Sequence, residues 1–134
     1  MSSDKSGLTD RGNVEQATSG FPSPAADYLE TTLDLHRLLV EHPAATFFMR
    51  AAGDEMRGAG IYPGDLLIVD RSLSPENGRI VVAVQDGKLQ LQRLRKLHGH
   101  MCLVSEPDAS YARGETDTDE QSIWGVVTRI IHTV

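Results

Sequence analysis

The sequence predicts a compact, mainly antiparallel β domain with one or two short helices. Three observations carry that prediction. Apolar runs of strand length, at 46–51, 66–70, 79–85 and 123–134, are bounded by Gly, Pro, Asn, Asp and Ser. Between RIVVAVQ and KLQLQRL stands Asp86-Gly87, a strong signal for a two-residue β-hairpin. Nowhere does the chain alternate strand, helix and strand, and it shows no internal repeat.

Composition narrows the function classes. The chain has 134 residues, 40% hydrophobic and 24% charged, which suits one soluble domain plus a tail. No apolar run approaches the ~18 residues of a membrane span. The first twenty residues lack the apolar core of a secretory signal. Cys102 is the only cysteine, so a disulfide framework is excluded and a cytoplasmic setting is expected. A formal net charge of −6 argues against direct DNA binding, which needs clustered Lys and Arg. A protein partner is the better expectation, and no pattern calls for a cofactor.

In chain order, residues 1–19 are polar and without apolar period, which predicts a flexible N-terminal arm. The domain is expected to run from 20 to 134. It opens on Phe21-Pro22-Ser23-Pro24, extended because each Pro fixes φ and restricts its predecessor. Asp34 can cap a short helix over Leu35–Glu41, with Leu35, Leu38 and Leu39 facing the core and Pro43 ending it. Thr46–Ala51 and Leu66–Asp70 read as strands, followed by the hairpin Arg79–Gln85 and Lys88–Leu94. In its second arm Leu89 and Leu91 share one face, and Lys88, Gln90 and Gln92 the other. His100–Val104 is read as a short strand and Asp108–Gln121 as an acidic, turn-rich loop. Ile123–Val134 closes the sheet. In this half one short helix is expected, beginning near Glu55.

The stretch from Phe47 to Asp70 organises the rest. Glycines at 53, 58, 60 and 64 lie between two apolar strands, so the backbone there presents one fixed turn. Gly53, Asp54 and Met56 frame position 55, which decides the question of function.

Other constellations have plainer readings. The five histidines include His98-Gly99-His100, which lacks a carboxylate or Cys at ligand spacing and reads as loop chemistry, with no metal site. Cys102 sits among apolar residues and reads as a buried thiol. Ser72 and Ser74 have no His–Asp arrangement beside them and read as turn residues. Asp117 to Glu120 reads as a solvated acidic loop. Arg93, Arg95 and Lys96 lie together near a strand end, enough for a protein-facing patch.

Five segments then carry a resemblance. GFPSPAADYLE from Gly20, HPAATFFMRAAGDEM from His42, GDLLIVD from Gly64, VQDG from Val84 and WGVV from Trp124 occur in that order. Together they resemble the LexA/UmuD self-cleaving family, peptidase family S24, over about residues 19–134. The resemblance implies a dimerising β domain of the LexA/UmuD C-terminal type. It also implies intramolecular peptide cleavage by a Ser–Lys dyad, the serine in a G-D-S-M turn and the lysine on the strand after the D-G hairpin. Burial would keep that lysine neutral so that it can take the serine proton. Carried over by position, the serine falls on Glu55 and the lysine on Gln92. The cleavage-site equivalent is Ser19-Gly20, where a small residue still precedes Gly.

Neither replacement can do the chemistry. A carboxylate attacking an amide gives an anhydride that reverts, and Gln92 has no basic nitrogen. Lys88 shares the Gln92 face but lies roughly 13 Å along the strand. Arg93 points to the other face and stays protonated. Glu55 and Gln92 could instead hydrogen-bond to one another, and Glu suits a helix N-terminus. The resemblance therefore implies an SOS-response accessory protein that does not cleave itself. Its implied partners are a second UmuD-like subunit, in a homodimer or heterodimer, a UmuC-like polymerase subunit and the RecA filament. Two alternatives stay open: an active autopeptidase cutting at Ser19-Gly20, and the dimerisation domain of a phage-type repressor. The second is weakened by a leading segment too short and polar for a helix-turn-helix.

Overall fold

Seven strands pair into one antiparallel sheet, and the connection between the first two carries the turn around position 55. The computed structural model describes residues 34–109 and 111–134. The arm, the FPSP segment and the Ser19-Gly20 junction lie outside the described residues. The strands are β1 (Thr46–Arg50), β2 (Leu66–Asp70), β3 (Ile80–Gln85), β4 (Lys88–Leu97), β5 (His100–Asp108), β6 (Tyr111–Asp117) and β7 (Ile123–Ile131). Their spatial order is β1-β2-β7-β3-β4-β5-β6. Thus β3 to β6 form a meander, and β7 returns to fill the place between β2 and β3.

The hairpin between β3 and β4 turns on Asp86 and Gly87, with φ of 53° and 75°. Two consecutive positive φ values define the type I′ turn that matches strand twist. His98-Gly99 repeats the geometry between β4 and β5, with φ of 54° and 74°. His enters this region more readily than most side chains, but His-Gly is not among the pairs that mark a two-residue hairpin.

Alternation along the strands builds a core on each face of the sheet. Val82, Val127, Leu67 and Val69 join Ala51, Met56 and Ile61 in one cluster. Val81, Ala83, Val126, Leu94 and Leu103 form the other. Because both faces are covered, adjacent residues such as Val81 and Val82 are both buried. That explains the unbroken apolar runs in the sequence. Gly125 lies where a Cβ would come within 2.6 Å of Val69 Cγ1, so β7 runs beside β2 with no room for a side chain there.

Four expectations need correction. The helix α1 spans only Leu35–Leu39, and Leu35 and Leu38 are 55% and 53% exposed rather than turned to the core. The buried residue there is Val40, just past the helix. Strands β4 and β5 run further than read, to Leu97 and Asp108. The stretch read as one loop from Asp108 contains β6, a polar edge strand interrupted by Gly114 at φ 70°. Edge strands carry charge and breakers to discourage further pairing, which hides them from a hydrophobic-pattern reading. Finally, a second helical turn in this half spans Glu120–Ser122, capped by the Asp119 side chain, which accepts from Ser122 N–H.

Candidate active site

The turn is closed at its base by backbone bonds. Ala51 N–H donates to Asp65 O at 2.9 Å, and Gly64 N–H donates to Ala51 O at 2.8 Å. Buried Asp65 holds the return, its Oδ2 accepting from Tyr62 N–H at 2.9 Å and its Oδ1 meeting His132 Nδ1 at 2.6 Å. These contacts, the Tyr62 bond foremost, keep the Asp65 carboxyl below its usual range. Inside the turn, Arg57–Ala59 forms one 3₁₀ turn ended by Gly60 at φ 85°. Met56 and Ile61 are each 1% exposed and fix the turn to the core like two pegs.

The turn is also fastened sideways to β5. The β4–β5 ladder stops at Arg93 and Val104. Beyond it, Glu106 N–H donates to the carbonyl of Glu55 at 2.8 Å. A Cβ at Gly58 would collide with the backbone carbonyls of Asp108 and Glu106, so only glycine allows this approach. A Cβ at Gly53 would collide with Glu55 Oε1, so the Glu55 carboxylate lies back over that glycine. Asp54 stays outside and pairs with Arg57 at 2.7 Å.

Gln92 arrives from β4, 5% exposed. Its Nε2 donates to Ser105 Oγ at 3.3 Å, and its Oε1 is buried with no hydrogen-bond partner. The hydrogen bond expected between Glu55 and Gln92 is therefore not formed. Ser105 takes the amide instead, because residue 92 continues the ladder that pairs Arg93 with Val104. The two candidate positions thus meet successive residues of β5, Gln92 at Ser105 and Glu55 at Glu106. Ser105 escaped the sequence reading, since only the β4–β5 register shows it.

Arg93 is not part of a free basic patch. Its Nε and Nη2 bind Glu106 at 2.5 and 3.0 Å, and its Nη1 donates to Gly78 O at 2.7 Å. The Arg93 hydrogen bond holds the Glu106 carboxyl below its ordinary value. Arg95 and Lys96 remain exposed.

The remaining candidates are structural by geometry. Ser72 donates from N–H and Oγ to Asp70 Oδ1, while His42 Nδ1 meets Oδ2 at 2.6 Å. The serine proton goes to the aspartate and not to an imidazole, so Ser72 has no activating base. Exposed Ser74 has no side-chain bond among the described residues. His100 pairs with exposed Asp117 at 2.7 Å, and Asp119 caps a helical turn. Burial raises the Cys102 thiol above its usual value, so it stays an inert core group.

The turn is thus pegged to the core and presented beside a buried strand residue, and sequence comparison shows which family carries it. Residues 13–128 match the Peptidase S24-like family. The chain belongs to that family. It is 43% identical over 119 residues to Protein SamA of Salmonella typhimurium, covering 89% of this chain and 82% of that one. Protein MucA of Escherichia coli is 40% identical over 116 residues, covering 86% and 79%. LexA repressor of Shewanella sp. (strain ANA-3) is 31% identical over 110 residues, 82% of this chain but 52% of the repressor. The mainly antiparallel sheet is consistent with this membership. Among the described residues no helix is long and apolar enough to cross a membrane.

Proposed function

We propose that this S24-family chain is a UmuD-type SOS accessory protein that works by binding and does not cleave itself. One observation carries the reading. The turn that should present a nucleophile presents Glu55, and the strand position that should hold the base holds the uncharged amide Gln92. Loss of a nucleophile and its base costs on the order of 10⁶ in rate. Ser105, the hydroxyl beside Gln92, has no basic nitrogen bonded to it and cannot stand in.

By its resemblance the chain would act in the cytoplasm as a homodimer, or as a heterodimer with a cleavable relative. It would engage a UmuC-like polymerase subunit and the RecA filament. In a heterodimer its Ser19-Gly20 junction could still be cut by a competent partner, since cleavage between subunits needs one working dyad. The test is incubation of the purified chain with RecA, single-stranded DNA and nucleotide, and separately at alkaline pH. The expected result is an intact chain. A fragment beginning at Gly20 from the chain alone would overturn the reading. The double substitution Glu55→Ser with Gln92→Lys should bring cleavage back if the turn and β5 keep their present geometry.

A further inference from the structure

We propose that a cavity at the end of β2 binds a small zwitterion, a compound of amino-acid size with one ammonium and one carboxylate. The cavity measures about 200 Å³, and none of its lining residues belongs to the Gly53–Gly60 turn, to β4 or to β5. Its charged and polar lining is sorted by strand order. Glu41, Thr46 and Asp70 come from the side of β1 and β2, while Thr128, Arg129 and Arg79 come from β7 and the entry to β3. Acids and arginines therefore line opposite sides of one cavity, Asp70 on β2 next to the strand that carries Arg129, and Arg79 one strand further on.

They face without meeting. Among the described residues no ion pair joins Glu41 or Asp70 to Arg79 or Arg129. Asp70 is fixed by His42 and Ser72 and cannot swing across. Arg79 is half-buried and has no side-chain hydrogen bond or ion pair among the described residues, and the bond of Arg129 goes to the neighbouring Thr128 carbonyl. The Arg79 nitrogens are reached by water and held by no acceptor of the described residues, so they are free to donate to a ligand that enters the cavity. The hydroxyl protons of Thr46, on the acidic side, and of Thr128, beside Arg129, are spent on His42 O and Ile68 O, at 2.7 and 3.2 Å. Both oxygens are therefore left as acceptors.

This arrangement selects the ligand class. A lone anion would meet Glu41 and Asp70, and a lone cation would meet two arginines. A zwitterion puts its carboxylate on the guanidinium side and its ammonium on the acceptor side. Leu39 and Leu73 complete the wall and would cover the methylenes between the charges.

The test is amide NMR of the ¹⁵N-labelled full chain, titrated with glycine, 4-aminobutyrate and 6-aminohexanoate. Butyrate and butylammonium serve as single-charge controls. At least one zwitterion should give saturable shifts at Glu41, Thr46, Leu73, Arg79 and Arg129, at concentrations on the order of 1 mM. Arg129→Gln, at an exposed position, should keep the fold, as its melting curve will report, and weaken binding about tenfold. Glu41→Gln should weaken the zwitterions and spare butyrate. The proposal is overturned if no compound gives saturable shifts at these residues at tens of millimolar. It is equally overturned if a single-charge control binds as tightly, or if Arg129→Gln binds as wild type.

Discussion

Gln92 and Ser105 share one hydrogen bond of 3.3 Å, and the other end of the Gln92 amide, Oε1, is buried without a donor. Exchanging the amide positions would let the Ser105 hydroxyl donate to Oε1, but would orphan an N–H instead. Either way one polar group is left unmatched, at a cost of about 1–3 kcal/mol. The consequence is a prediction about stability. Gln92→Met, which keeps length and volume and removes the orphan, should stabilise the chain by about 1 kcal/mol in urea unfolding. A loss of stability of that size would show that Oε1 is satisfied in solution.

The docking of the turn predicts a second result. Gly58 approaches β5 so closely that a methyl group would strike the Asp108 and Glu106 carbonyls. Gly58→Ala should cost about 1–3 kcal/mol and should loosen the Glu106 N–H to Glu55 O bond. Hydrogen exchange at the Glu106 amide checks this directly, since its protection should fall by more than that of the β3–β4 hairpin. In an Glu55→Ser, Gln92→Lys background the same change should also abolish any restored cleavage.

The His42–Asp70 pair predicts a pH window. Asp70 is desolvated, which raises its carboxyl, but the bonds from Ser72 and His42 prevail and its value falls below 3.8. Its contribution is therefore present above pH 3.8 and lost as pH falls through the folded value. His42 is raised above 6.5 by the hydrogen bond to Asp70. Its contribution is present below pH 6.5 and lost as pH rises through the folded value. The pair contributes most between these limits. His42→Gln should lower the melting temperature more at pH 5.5 than at pH 8.5, and an equal loss at both would exclude an ionic pair.

How much of this was legible in the sequence depended on what each residue had to pack against. The β3–β4 hairpin was legible because Asp-Gly is one of few pairs that occupy two positive φ angles cheaply. Its counterpart at His98-Gly99 was not, because His-Gly is not one of the dipeptides that mark a two-residue hairpin, although it takes the same pair of positive φ angles. Strand β6 was hidden because an edge strand with one exposed face need not be apolar. Helix α1 misled for the opposite reason: its leucines suggested a core face, yet Leu35 and Leu38 stay exposed. The site turn was legible in its glycines, one of which, Gly58, stands where the backbone carbonyls of Asp108 and Glu106 leave no room. The Gln92–Ser105 contact was not legible, since it depends on the pairing register of β4 with β5 and joins residues 13 apart in the chain.

The close pairing of β7 with β2 gives the last prediction, and it can be tested by compensation. A Cβ on Gly125 would sit 2.6 Å from Val69 Cγ1, while the next nearest atoms, on Arg71 and Asp70, stand at 3.4 and 3.7 Å. The obstruction is therefore one methyl group of one side chain. Val69 is fully buried between β1 and β7, so it cannot move aside without opening the core. Gly125→Ala alone should cost about 1–3 kcal/mol by overpacking, and Val69→Ala alone about 2–3 kcal/mol by leaving a cavity. Together they should cost less than their sum, by about 1 kcal/mol or more, because the new methyl fills space that the old one leaves. Additive costs in urea unfolding would mean that β7 yields to the methyl group by shifting its backbone, and that Val69 does not set the distance between the strands.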